Sequence, residues 1–479
     1  MWFLNKKTSS IFWVFTLSLV FGLTLPVLIQ HAMFQDAMLY SSVSHNLSIG
    51  FGTFWFPQYS ALNIEGIPSF HEQPPLVFGI QALFFKMLGD SIYVERIYTF
   101  IMLLLHLVLI NELWKTIFRN NKKYRDYGWL PILFFIIIPI CHWSFRNNML
   151  ENTLSIFTLS SIIISYRQII SGKTNFFKWF LSGVFIFLAS FSKGVPGFFP
   201  LIFPFVFWII TKKISLKQML IFTGILSSAP LLIYFVILLF PEGRESLSIY
   251  FFQRLLGRVH TMPTTSYRLD VAWRVFTELI PVLILTTIIF FIKRKIVKSN
   301  FIFTKTDFLL FLAIGLSGSL PLMLTSVQKG FYLVPSMPYF SIAFAIVIVP
   351  GIFDLVSKIN VHSKKLKIVR FLSIVVFASV IVFTGFQKNQ ISRHEDMFRD
   401  VNKIGNLVPQ FSTLTVPPEL YNQYDFVFQG FLVRYYNISI SPYEEYTYFI
   451  KEKNSMSAVP GKYNRTDLDL NLFELYIKN

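Results

Sequence analysis

The side chains best suited to chemistry in this sequence are acids and bases at the ends of long apolar runs. Asp36, in the stretch FQDAMLY, follows the first such run. A carboxylate there suits a general base or a group that orients an attacking hydroxyl. It equally suits the start of a helix over 37–49, because Asp is a favoured N-cap. His71 and Glu72 open HEQPPLVF, where Pro74 and Pro75 fix φ and remove two donors ahead of a short helix. They read as substrate contacts or as a polar helix start. Arg146 and Glu151 lie in RNNMLENTL. An Arg can grip a phosphate with two parallel bonds, and Glu151 would be a second acid. The alternative is an ion pair between the two. Lys193 and Lys329 each precede a glycine, in FSKGVPG and VQKGFYLVPSMP. An ammonium suits a phosphate, and glycine allows close backbone approach; a snorkelling lysine beside a turn is the alternative. Arg244, Arg254, Arg258, His260 and Arg268 gather within 241–272, either for an anionic ligand or for lipid head groups.

The elements that must position these residues are membrane spans. Of 479 residues, 54% are hydrophobic and only 14% charged, against about 25% charged in soluble domains. That composition excludes a soluble enzyme, a disordered regulator and a nucleic-acid-binding domain, and points to an all-α polytopic membrane protein. Apolar stretches of spanning length fall near 11–30, 92–114, 128–146, 150–166, 177–192, 194–211, 218–240, 273–292, 307–325, 331–350 and 368–386, giving about eleven expected crossings. The first run follows Lys6 and Lys7 without a small-residue cleavage site, so it reads as a retained span. Lys and Arg concentrate in alternate connections: five in 115–127, in 292–306 and in 357–370, but none in 31–75. This places the N-terminus in the cytoplasm and the C-terminus outside the cytoplasmic (inner) membrane. Only 241–272, with four Arg, breaks the alternation.

Two segments are too short or too mixed to cross. Residues 75–90 and 36–49 are expected as amphipathic helices at the outer interface. After about 388 no run is long enough to span. Residues 388–479 are expected as a small soluble extracytoplasmic α/β domain, with strands at 413–416 and 426–428 and a helix over 396–406, next to a membrane domain of residues 1–387.

The spans themselves are nearly free of ionisable groups, as the roughly 2.5–3.5 kcal/mol cost of a mid-bilayer charge requires. The unusual charges sit at outer ends, where a lipid-linked substrate presents its head group. No Walker loop, HExxH or Cys/His cluster occurs, and Cys141 stands alone. Nothing here points to ATP or to a dedicated zinc site; no cofactor is indicated, and the motifs leave use of a divalent metal open.

In order and placement, these pieces resemble the GT-C type of bacterial polyprenyl-phosphate-dependent glycosyltransferases, which include lipid A aminoarabinose transferases and relatives of protein O-mannosyltransferases. The matching positions are Asp36, Tyr40 and Gly50; Pro74–Leu76; Gly89–Ser91 with Arg96; Arg146–Leu154; Ser192–Pro196; Arg258; and Lys329, Tyr332, Pro335 and Pro338. They cover about residues 30–340. The resemblance implies a GT-C-like fold and inverting sugar transfer at the outer face of the membrane. The donor would be a polyprenyl-phosphate-linked sugar. The acceptor would be a glycolipid of the lipid A type, a polysaccharide or a protein. Asp36 and Glu151 would be catalytic; Lys193, Arg258, Lys329 and Arg146 would hold donor phosphate; Tyr40, His71, Glu72, His260 and Tyr332 would contact substrate. Three departures stand out: Ala37 follows Asp36 where many relatives have Glu, Gln73 replaces a Lys, and Glu151 replaces an Asp. Two other readings are a lipid-linked glycan transporter, which needs mid-membrane charges, and a glycan polymerase or ligase of the O-antigen type, which needs no acid after the first span.

Overall fold

The computed structural model describes residues 2–62, 69–172, 174–257, 267–297, 303–325, 327–360, 363–422 and 427–479. In chain order its helices are α1 (Trp2–Leu28), α2 (Gln35–Ser48), α3 (Leu76–Leu88), α4 (Val94–Ile117), α5 (Lys122–Arg125), α6 (Trp129–Ile137), α7 (Pro139–Arg146), α8 (Leu150–Ser171), α9 (Phe176–Lys193), α10 (Phe203–Thr211), α11 (Leu216–Leu238), α12 (Pro241–Ser248), α13 (Asp270–Val297), α14 (Lys305–Ser319), α15 (Met337–Ser357), α16 (Lys364–Phe386), α17 (Glu395–Leu407), α18 (Pro418–Asn422) and α19 (Val427–Tyr436). The chain divides into two compact units. One holds residues 1–26, 100–146 and 150–386; the other holds 27–99, 147–149 and 387–479.

The first unit is the membrane part. Among the described residues nine helices are long and apolar enough to cross a bilayer, or ten when α6 and α7 count as one. Two of the eleven expected crossings take other forms. The stretch expected to cross at 128–146 is broken into α6 and α7, bent by 82°. Pro139 at the break has no N–H to give and its ring bars a continuous helix. The freed Ile140 N–H donates instead to the Glu278 carboxylate of α13, at 2.8 Å. The stretch expected to cross at 194–211 is a 3₁₀ segment (Val195–Ile202) followed by the short α10. Pro196, Pro200 and Pro204 recur every four residues there, and each removes one donor from the α-helical ladder.

The α8–α9 pair is a hairpin closed by a short connection. Ser182 meets Ser161 at 2.9 Å and Ser165 at 2.8 Å, and small hydroxyl residues of this kind let membrane helices approach closely. Gly183 lies so near α11 that an added Cβ would stand 2.3 Å from the Leu226 carbonyl oxygen.

The second unit contains α2, α3, α17–α19 and a five-stranded sheet. Its strands are β1 (Thr413–Thr415), β2 (Ser439–Ser441), β3 (Tyr448–Glu452), β4 (Tyr463–Arg465) and β5 (Phe473–Lys478). The order is β2-β1-β3-β5-β4, with β1 parallel to β2 and β3 and the other pairs antiparallel. The fully buried Asp400 of α17 accepts backbone N–H bonds from Asn471 and Leu472, at 2.6 and 2.7 Å, and so holds the approach to β5. The strand expected at 426–428 is absent: Val427 and Phe428 begin α19, and Phe426 lies outside the described residues. The apolar residues Val427, Phe428, Phe431 and Leu432 recur at the helical spacing, and the helix is buried without a break from Val427 to Arg434.

A buried charge cluster binds α19 to the rest of this unit. Arg434, 1% exposed, reaches Glu95 Oε2 at 2.9 Å and Asp90 Oδ1 at 3.0 Å, and His45 Nε2 lies 2.9 Å from the same Asp90 oxygen. Glu95 Oε1 meets Arg96, whose guanidinium also donates to the Gln30 carbonyl. Half-burial acts to raise the Asp90 carboxyl. The hydrogen bond and charge of His45 and the charge of Arg434 outweigh it and leave Asp90 below its ordinary 3.8. Asp90 therefore contributes fully above that value, and its contribution fades as pH falls through the depressed one. Arg434→Ala would take from the buried Glu95 one of its two cations and leave Arg96, so a loss of stability is expected that stays below the roughly 3–5 kcal/mol of a fully unpaired buried charge. Thermal unfolding in detergent checks this, and the stability gap between wild type and Asp90→Asn is expected to shrink below about pH 4.

Candidate functional site

In the first unit the α8–α9 hairpin fixes a buried ion pair. Glu151 stands in the first turn of α8 and Lys193 is the last residue of α9. A short turn between antiparallel helices brings those two ends level. Helix dipoles favour an acid at an N-terminus and a base at a C-terminus, so both side chains suit their places. The Lys193 ammonium donates to Glu151 Oε1, and the two side chains are 6% and 1% exposed. The same ammonium lies 4.7 Å from the ring centre of Tyr332 and 5.3 Å from that of Phe331. The bend after α6 supplies the support beneath: Trp143 of α7 stacks on Phe331 at 5.8 Å, nearly parallel. Ser144 and Asn152 exchange bonds at 2.6 and 3.0 Å and tie α7 to α8.

The glycine after Lys193 is required by its backbone. Gly194 has φ +77°, and an added Cβ would fall 1.8 Å from the Tyr250 hydroxyl oxygen. Lys329 is exposed. The turn before it is held by Gln328, which accepts from the Val271 N–H at 3.2 Å and donates to the Thr325 carbonyl at 3.1 Å. Gly330 follows, where a Cβ would meet the Arg274 guanidinium at 2.4 Å.

Three of the expected residues thus come together: Glu151, Lys193 and Tyr332. Arg146 does not pair with Glu151. Its Nε donates to the Leu23 carbonyl at 2.6 Å, and Lys193 takes the place beside Glu151. Arg244 and Arg268 are exposed. Arg258 and His260 lie outside the described residues.

In the second unit Asp36 and Tyr40 stand one turn apart on α2. Asp36 is half-buried at the second helical position; the N-cap is Phe34, which offers no capping side chain. The alternative of Asp36 as N-cap is therefore corrected: the helix begins two residues earlier than expected. The cap is supplied from elsewhere, as the Phe34 N–H donates to Asn147 Oδ1 at 2.9 Å. Its neighbour Asn148 forms a reciprocal amide pair with Gln81, at 2.6 and 3.1 Å, and donates to Ser41 of α2 at 3.1 Å. Sequence reasoning missed both asparagines, although they sit between Arg146 and Glu151. Adjacent amides bordering a span were the available signal. Tyr40 contacts Phe78 at 6.0 Å between ring centres. His71 is buried, with its Nε2 2.7 Å from Ser69 Oγ, and Glu72 is half-buried beside it. Among the described residues no three His, Cys, Asp or Glu side chains converge as metal ligands would.

The chain has a GT-C-like fold: among the described residues it has nine long apolar helices and one broken pair, shorter apolar helices, and a small mixed sheet. The structure of ArnT from Cupriavidus metallidurans bound to undecaprenyl phosphate superposes with a TM-score of 0.61 at 11% identity, over 99% of this chain and 98% of that one. The apo state of ArnT gives 0.59 at 12% identity, over 88% and 84%. The apo oligosaccharyltransferase of Archaeoglobus fulgidus gives 0.54 at 10% identity, over 92% and 69%. No protein-family profile matches the chain, and no curated protein matches it by sequence.

Breaking the buried pair from either side is expected to cost about 3–5 kcal/mol, whereas Glu151→Gln with Lys193→Met together costs much less, because no charge is then left alone. A double-mutant cycle on thermal unfolding in detergent measures the difference. Gly194→Ala should also unfold early, by roughly 1–3 kcal/mol for the strained backbone alone.

Proposed function

We propose that this protein is a membrane glycosyltransferase that moves a sugar from a polyprenyl-phosphate donor to an acceptor of the cell envelope, in the cytoplasmic membrane. The observation that carries the reading is the buried Lys193 ammonium, held by Glu151 and walled by Phe331 and Tyr332, in a chain with the fold of an enzyme solved with undecaprenyl phosphate. A fixed cation in a dry site is worth most against charge that develops during reaction. When the bond from the anomeric carbon to the phosphate oxygen breaks, that phosphate gains negative charge, and Lys193 would stabilise it. Glu151 would serve as the counter-ion that keeps the ammonium charged and aimed while the site is empty. Lys329, exposed beside Gly330, would take a second phosphate oxygen, with Arg258 and Arg146 as further candidates.

Asp36 would accept the proton of the attacking hydroxyl as the new bond to the anomeric carbon forms, with inversion there. Its half-buried place in the first turn of α2 sets the carboxylate at a helix N-terminus, where an anionic base is favoured before it takes the proton. Tyr40, His71, Glu72, His260 and Tyr332 would contact the sugar or the acceptor. The N-terminus would be cytoplasmic and the sheet-bearing residues 388–479 extracytoplasmic. Glycolipid, polysaccharide and protein all remain within the acceptor class.

Envelope glycolipids from cells with wild-type protein, with none, or with Asp36→Asn at equal abundance provide the test by mass spectrometry. A sugar-sized increment present only with the wild type is expected, since loss of a catalytic base costs about 10²–10⁴ in rate. An increment that persists in Asp36→Asn and vanishes only in the deletion would remove Asp36 as the base. It would favour transport of a lipid-linked glycan.

A further inference from the structure

At the far end of α8 from Glu151 the first unit contains a basic cavity. It has a volume of about 300 Å³ and is walled by Glu112, Lys115, Arg119, Arg125, Arg167 and Ile170. Arg167 is sixteen residues along α8 from Glu151, which is about 24 Å on a helix. The cavity is therefore separate from the Glu151–Lys193 pair, and a ligand bound in it need take no part in sugar transfer.

Its charge is unbalanced: four cations stand against one carboxylate. Glu112 is shared, with Lys115 at 3.0 Å and Arg167 at 2.9 Å, and Arg167 Nε also donates to Thr116 Oγ1 at 3.1 Å. These bonds hold one wall in place. The Arg119 guanidinium donates to the Ile170 carbonyl, which fastens the end of α4 to the end of α8. Glu112, Lys115 and Arg167 are all between 38% and 47% exposed, so the wall is built but open.

The approach to the cavity is apolar. Leu104, Val108 and Glu112 follow one another at intervals of four along α4, on one helix face. Leu104 and Val108 are exposed, as is the neighbouring Leu105. On a membrane-spanning helix such a stripe faces acyl chains, and here it runs directly into the basic cavity. A free aqueous anion has no use for that stripe, whereas an anionic lipid uses both parts. Basic pockets between spans are known general sites for multiply charged lipid head groups.

We propose that this cavity is a binding site for an anionic phospholipid, with its phosphate among Arg119, Arg125, Lys115 and Arg167 and its chains along Leu104 and Val108. A net charge of +3 fits a head group with two phosphates, as in a cardiolipin, better than one with a single phosphate.

The test uses the full chain, delipidated in detergent, titrated with cardiolipin, phosphatidylcholine or inorganic phosphate and followed by native mass spectrometry and thermal unfolding. Cardiolipin should be retained and should raise Tm, and phosphatidylcholine should do neither. Arg119→Ala with Arg125→Ala should weaken cardiolipin binding about twenty-five-fold, at about fivefold for each surface cation removed. Arg125 is exposed on the short α5, so Arg125→Ala alone gives a fivefold loss in a protein that folds even if the double variant does not. Equal cardiolipin affinity in wild type and Arg125→Ala would overturn the proposal. So would equal binding of phosphatidylcholine, or a Tm rise from millimolar inorganic phosphate as large as that from cardiolipin, which would mark a site for free anions.

Discussion

A charge buried at the edge of a bilayer must carry its partner with it, and the Glu151–Lys193 pair shows how this chain meets that demand. The two side chains are 6% and 1% exposed, so removing either leaves the other's charge alone in the interior. The α8–α9 hairpin makes the meeting possible by setting an N-terminus beside a C-terminus. Serine contacts along its length allow the two helices to lie close. The Pro139 bend turns Trp143 onto Phe331, the ring that walls the ammonium. Gly194 then lets the chain leave α9 where no other residue fits beside Tyr250. The local irregularities of the membrane unit converge on one lysine.

The second unit solves a comparable problem with amides. α2 has no capping side chain of its own, and Asn147 supplies the acceptor. Asn148 links α2 and Gln81 of α3 through three hydrogen bonds. Fully satisfied polar networks in an interior define one arrangement and penalise others. Asp36 is thus presented by a helix whose start is held from another segment. The Arg434–Glu95–Asp90 cluster plays the same part for α19.

Much of this was legible in the sequence. Hydropathy located the nine helices among the described residues that can cross, and the change in composition after residue 388 gave the expectation of a small α/β region, where the structure has a five-stranded mixed sheet. Proline chemistry undid two crossings, because hydropathy averages over residues while a missing N–H acts at one position. The segment VFQGFLVRYY, with Val427, Phe428, Phe431 and Leu432 at helical spacing, forms α19 where a strand was expected at 426–428. The pairing of Glu151 with Lys193 was missed in favour of the nearer Arg146. Yet both lie 21 residues from Gly172, so a hairpin turning there brings them level. The clustering of Arg434 with Glu95 had no such signal, since the two are separated by most of the chain.

The most direct measurement is on the purified full chain, supplied with polyprenyl-phosphate-linked sugars and an envelope lipid extract, with release of free polyprenyl phosphate as the readout. The account expects release with the wild type, none above background with Asp36→Asn, and a strong reduction with Lys193→Met in protein that remains folded. Equal release from all three, or movement of intact donor across vesicles without release, would contradict it.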